Sequence, residues 1–186
     1  DIVIPNQIMD RTKGVRPATF FGNGLVVHIS FADPFCPELS SVLYEAAQAV
    51  TDRVHSGGTL VVIEGPQFST KAESRIYRQW GVDIIGMTAL PEAKLAREAE
   101  ICYATLAMVT DYDCWHPREA HVTADMALQN LFRNAARAQR VAAAAIARLG
   151  AEWPESPAHT ALAHALVTQP DAMAPAVRQR LAALLA

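Results

Sequence analysis

Residues 59–109 read TLVVIEGPQFSTKAESRIYRQWGVDIIGMTALPEAKLAREAEICYATLAMV. Apolar, β-branched runs alternate here with helical segments. TLVVIE (59–64) reads as a buried strand. Thr70 and Glu73 make a capping box that opens a helix running to Trp80. DIIGMT (83–88) is a second strand, Pro91 opens a helix to about Ala99, and ICYATLAMV (101–109) is a third strand. Strand–helix–strand–helix–strand, with strands apolar on both faces, predicts an α/β fold: a mixed, largely parallel central sheet flanked by helices.

The same alternation extends outward. IVI (2–4) reads as a strand, and LVVHISF (25–31) as another after the Gly22-Asn23-Gly24 turn. Pro37 stands where a helix takes its first residue. Leu39, Val42, Leu43, Ala46, Ala47 and Val50 then give one apolar face, and Gly57-Gly58 stops it. Downstream, Thr123 or Asp125 caps an Ala-rich helix ending near Gly150. Prolines 154, 157, 170 and 175 divide a helical tail, 151–186, into two short helices near 158–166 and 176–185. No repeat or linker divides the 186 residues, which predicts a single domain.

Composition narrows the function classes. An apolar share of 51% and a charged share of 19% exclude a disordered chain. A net charge of −3 offers no footprint for nucleic acid, and no apolar run is long enough to span a membrane. Cys36, Cys102 and Cys114 have no metal-like spacing and are odd in number, which suits the reducing cytoplasm better than a disulfide framework. The sequence opens on Asp1 and enters a strand at once, with no charged and apolar leader. It reads as a chain from which an upstream segment is absent.

In open α/β sheets ligands bind outside the carboxyl ends of the strands. Three strands here end in unusual sequence: EGPQFS (64–69), Met87-Thr88, and TDYD (110–113). Brought to one crevice they supply an aromatic, hydroxyls and two carboxylates. Asp111 and Asp113 are two apart, so on an extended segment both face one ligand. A polar ring such as a purine suits that set.

The segments EGPQFSTKAESR (64–75), GMTALPEAKLAREAEICYA (86–104) and TDYDCW (110–115) resemble the methylthioadenosine-cleaving branch of the trimeric purine nucleoside phosphorylase family. DRT (10–12) and HISFADPFCP (28–37) agree with it. The resemblance implies a purine nucleoside phosphorylase-like fold and phosphorolysis of 5′-methylthioadenosine to adenine and 5-methylthioribose 1-phosphate, with inorganic phosphate as co-substrate and neither cofactor nor metal. It implies that Phe68 packs on base and ribose, Ser69 lies at the base, Met87 meets the ribose hydroxyls through its backbone, and Thr88 binds phosphate. Asp111 is then the catalytic acid at N7, Asp113 meets the exocyclic amine, and Tyr112 lies against the substrate between them. His28 reaches the 5′ end of a neighbouring subunit's substrate in a homotrimer. Ala124, where hydroxyl-preferring relatives carry histidine, leaves an apolar 5′ pocket with Val122 and leucines such as Leu181 or Leu185 as walls.

The family's glycine-rich phosphate loop and its Arg-His pair are not found in these residues. The chain accordingly reads as the C-terminal two-thirds of such an enzyme, needing the upstream segment of the same protein. A phosphorylase for 6-oxo nucleosides or methylthioinosine is the nearest alternative; a non-catalytic nucleoside-binding subunit is the other. Asp113, an acceptor when ionised, favours an amine over an oxo group. Glu64 reads equally as a third acid or as a bond to backbone amides at a buried strand end, and is not counted in the site.

Overall fold

In the computed structural model, which describes residues 1–116, 124–150 and 155–185, two chain segments run side by side through the centre. Strand β1 (Ile2–Ile4) pairs in parallel with β3 (Val54–Ser56), and β2 (Gln7–Arg11) pairs in parallel with β4 (Thr59–Ile63). Ile2 faces Val54 and Gln7 faces Thr59, so the register passes through the break between the two ladders without a shift. The break sets Pro5-Asn6 against Gly57-Gly58. Proline has no amide to donate there. Gly57 N–H instead reaches Ile4 O at 2.8 Å, while Asn6 and Gln7 share Gly58 O at 3.1 and 3.2 Å. Gly58 has φ +100°, and a Cβ there would lie 2.9 Å from Asp83 Oδ2, so the bend requires glycine.

β5 (Ile84–Gly86) extends one half in parallel beside β4, and β6 (Ala107–Met108) lies antiparallel on β1. The strands form two three-stranded sheets, a mixed β3-β1-β6 and a parallel β2-β4-β5, joined at the bend where β1 runs on into β2.

Helices cover them. α1 (Pro37–Gln48) buries Ala46 and Ala47 against Ile2, Ile4 and the Val141–Ala145 turn of α4 (Ala124–Leu149). α2 (Lys71–Gln79) starts with the expected capping box: Glu73 N–H donates to Thr70 Oγ1 at 3.2 Å and Thr70 N–H to Glu73 Oε2 at 2.7 Å. Its Tyr77 packs on Val61 and Ile63. α3 (Ala89–Glu98) buries Ala89, Leu90 and Ala93 on Leu60 and Val62, with Leu90 extended and the regular helix following from Pro91. A 3-10 turn, Pro157–Thr160, and α5 (Pro175–Arg180) form the tail.

Several expectations are corrected. Residues 25–31 form no sheet strand. Val27 makes one bridge to Leu166, and Phe21 and Leu25 join Leu162, Ala165, Val177 and Leu181 in a separate cluster. Of 101–109 only two residues pair, because Tyr103 O is taken by Cys36 N–H at 2.8 Å on the approach to α1. The tail helices are shorter than expected, since each proline restarts the local turn. β2 and β3 were not foreseen. The cap at Thr123 and the Trp153-Pro154 break lie outside the described residues. Among the described residues no helix is long and apolar enough to cross a membrane.

Candidate active site

β2, β4 and β5 run in parallel and end on one edge, where Arg16 ties two of the strand ends together. Its Nε meets Glu64 Oε1 at 2.8 Å, its Nη1 donates to Met87 O and Leu90 O at 2.6 Å each, and its Nη2 donates to Glu64 O at 2.6 Å. Glu64 Oε2 accepts Lys13 N–H at 2.8 Å. The Lys13 amide, and then Arg16, hold the Glu64 carboxyl below its ordinary range. Glu64 is therefore a fastener, bonding a backbone amide, the second of its two readings from sequence. Arg16 was not foreseen; an arginine five residues past a strand end carries no local signal.

Gly65, at φ +71°, lets Met87 lie against the EGPQFS segment, since a Cβ at Gly65 would stand 2.8 Å from Met87 Sδ. With Arg16 on one lone pair of Met87 O, the second lone pair of that carbonyl has room for a further donor. Phe68 keeps 45% of its surface exposed, so its ring is a wall rather than core. Thr70 takes the helix cap and leaves the neighbouring Ser69 Oγ buried without a partner among the described residues. Thr88 precedes α3, is exposed, and makes no capping bond. Among the described residues its hydroxyl, without a cap bond, is open to another acceptor or donor.

The third strand end differs from expectation. β6 runs antiparallel to β1 and leaves beside Asp1, and residues 110–116 then meet the end of the EGPQFS segment at Ser69. They form a turn, not an extended segment. Asp111 Oδ1 accepts Asp113 N–H at 2.9 Å and its Oδ2 accepts Thr110 Oγ1 at 2.6 Å, the Asx arrangement that lets Asp113 adopt φ +57°. The 3-10 turn Asp113–Trp115 then packs on α2, with Cys114 Sγ 3.5 Å from Ser69 O. Burial, then the Asp113 charge, push the Cys114 thiol up. Asp113 Oδ2 is buried without a partner among the described residues, as is His116 Nδ1.

Around this turn Tyr112, 56% exposed, stacks on His116 at 5.0 Å, and the Arg78 guanidinium lies 3.6 Å from the Trp115 ring centroid. From α4, Asn130 donates to Thr110 O and Asn134 to Val109 O at 3.2 Å. Two asparagines one helical turn apart in an Ala-rich helix were a legible signal that the sequence reading passed over. Ser69, Cys114 and Asp113 are thus joined, as are Gly65 and Met87. His28 belongs elsewhere: its ring is exposed and its amide donates to Ala165 O at 2.8 Å in the tail cluster. Ala124 opens α4, but its side chain, like Val122, lies outside the described residues. Leu181 is buried in the tail cluster of its own chain.

A family model for the phosphorylase superfamily matches residues 1–147. S-methyl-5′-thioadenosine phosphorylase of Gloeobacter violaceus is 57% identical over all of this chain and 63% of that protein, and that of Chloroflexus aurantiacus is 59% identical over 97% of this chain and 62% of that one. A methylthioadenosine phosphorylase from an antarctic soil metagenomic library superimposes with TM-score 0.92 at 57% identity, over 100% of this chain and 66% of that one. The Schistosoma mansoni methylthioadenosine phosphorylase in complex with adenine gives 0.76 at 38% identity, over 82% and 60%. The chain spans slightly less than two thirds of the length of these relatives.

Proposed function

Since the chain belongs to the phosphorylase superfamily, we propose that it carries the base- and ribose-binding part of an enzyme that cleaves 5′-methylthioadenosine with inorganic phosphate, releasing adenine and 5-methylthioribose 1-phosphate. One observation supports this best. Asp113 Oδ2 and Ser69 Oγ are both buried and, among the described residues, unpartnered, on segments joined by the Cys114–Ser69 contact. A buried acceptor without a donor costs about 1–3 kcal/mol, and an exocyclic amine supplies that donor.

Cleaving the glycosidic bond puts positive charge on the ribose and negative charge on the departing purine. Asp111 shares a proton with N7 of that purine, help worth about 10²–10⁴-fold in rate. Its two oxygens already accept Thr110 and Asp113 donors, which fixes the carboxyl plane. Phe68 covers base and ribose, Tyr112 flanks them, and Met87 holds the ribose hydroxyls. Thr88 gives phosphate one hydroxyl; the other anion donors come from residues outside this stretch, which we read as the C-terminal part of one nucleoside phosphorylase domain. Neither cofactor nor metal enters this chemistry.

The protein works as a homotrimer in the cytoplasm, with His28 given to a neighbour's 5′ site. Exposed apolar residues such as Phe132 (74%) and Ile146 (72%) support an assembly, and three free thiols suit a reducing compartment. Sedimentation at three chain masses is expected; a fully active monomer would refute it.

Substrate comparison tests the activity. On the complete protein kcat/KM should favour methylthioadenosine over adenosine by roughly tenfold or more, with inosine poorer. A hydroxyl facing Ala124 loses water and gains no bond, so Ala124→His should narrow the ratio by gaining on adenosine. Equal use of all three nucleosides by the wild type would reject the reading.

A further inference from the structure

Away from the strand ends, two thiols meet. Cys36, immediately before α1, is only 2% exposed, and its Sγ lies 3.0 Å from Cys102 Sγ. The residues are 66 apart in sequence, but the backbones run together, since Cys36 N–H donates to Tyr103 O at 2.8 Å. A disulfide needs the sulfurs to close from 3.0 Å to about 2.05 Å. Cys102 also has His159 Nε2 at 3.4 Å, and Cys36 has Glu38 Oε2 at 3.1 Å and Ser156 Oγ at 3.5 Å.

We propose that Cys36 and Cys102 are a peroxide-oxidisable dithiol, with half-buried Cys102 the attacking sulfur, buried Cys36 the resolving one, and His159 the positioning residue that takes the first proton. His159 Nε2, 3.4 Å away, accepts the Cys102 proton. The thiolate attacks hydrogen peroxide, the O–O bond breaks, and the leaving hydroxide recovers that proton as water. Cys102 is then a sulfenic acid. The Cys36 sulfur attacks it, the S–O bond breaks, and the hydroxyl leaves with the Cys36 proton as a second water. Two thiols and one peroxide become one disulfide and two waters. The assignment of roles agrees with the titration of Cys36: burial, then the Cys102 hydrogen bond, push its thiol up to about 11, so it waits protonated. Cys114, whose sulfur touches Ser69 O instead, is an internal control.

The complete protein, fully reduced, should be treated with hydrogen peroxide and followed by thiol count, intact mass and peptide mapping. Two thiols per chain should disappear with a mass loss of about 2 Da, one linked peptide should join Cys36 to Cys102, and dithiothreitol should reverse both. Cys114 should stay alkylatable. The oxidised form should melt higher by roughly 5 °C, because the link closes a long loop. Cys36→Ser should leave a trappable sulfenic acid on Cys102. His159→Gln should slow oxidation several-fold without moving the Tm of the reduced protein. Sulfinic acid on Cys102 without a linked peptide, or Cys114 reacting first, would overturn the pair. An unchanged rate in His159→Gln would overturn the role of the histidine.

Discussion

Asp113 is held where few side chains would rest. Its φ of +57° is maintained by the Asp111 carboxylate on its amide, and one of its own oxygens is buried with no donor among the described residues. Strain and an unmet acceptor at one residue are the grounds for our proposal that Asp113 meets the substrate. Asp113→Asn replaces an acceptor-only group by an amide that can offer either face, so discrimination between 6-amino and 6-oxo nucleosides should fall by about tenfold or more, read as the ratio of kcat/KM values. Asp111→Asn keeps the shape but cannot share a proton, and should lower kcat by about 10²–10⁴-fold with KM less affected. Unaltered turnover and selectivity in both variants would reject the pair. The two acids were legible in TDYD because an acidic pair after an apolar run is a local pattern. The unmet oxygen was not, since it depends on α2 and Ser69 packing beside the turn.

At the level of elements, the sequence was most readable where structure is local. The Thr70 and Glu73 box is complete within four residues, and it formed as expected. Thr70→Ala should therefore cost about 0.5–2 kcal/mol in urea unfolding, and a loss below that range would mean the first turn of α2 is held by its packing. Misreadings fall where pairing is distant. The run 25–31 has strand composition but finds only Leu166 of the tail across from it. Most of 101–109 is diverted by Cys36 and α1. Conversely QIMDR (7–11) lacks the apolar character of a buried strand, yet all five residues pair with β4 because the bend carries the register onward from β1. Neither Val54–Ser56 nor Gln7–Arg11 could be seen without its partner.

Across the whole molecule, carboxylates set the acid limit. The Thr70 amide and hydroxyl hold Glu73 low, and the Lys13 amide and Arg16 do the same for Glu64. Burial works against Asp10, but Lys94 and Thr12 outweigh it and its carboxyl is also lowered. Groups with depressed folded values bind more protons when unfolded, so their stabilisation is complete above the ordinary carboxylate range and lost as pH falls through the depressed one. The urea midpoint should hold from neutrality to about pH 5 and fall below about pH 4.5, less steeply in high salt because Glu73 and Asp10 are exposed. A midpoint independent of pH down to 3 would contradict it. The bent ladder has a further consequence, in time rather than space. During synthesis the Ile2–Ile4 and Gln7–Arg11 segments leave the ribosome well before Val54–Ile63, and Ala107–Met108 later still. At about 5–20 residues per second the wholly apolar Ile2–Ile4 strand waits several seconds for the partners that take its two edges. Nascent chains halted before residue 54 should bind holdase chaperones through that segment, and release them once the Gly57-Gly58 bend has emerged.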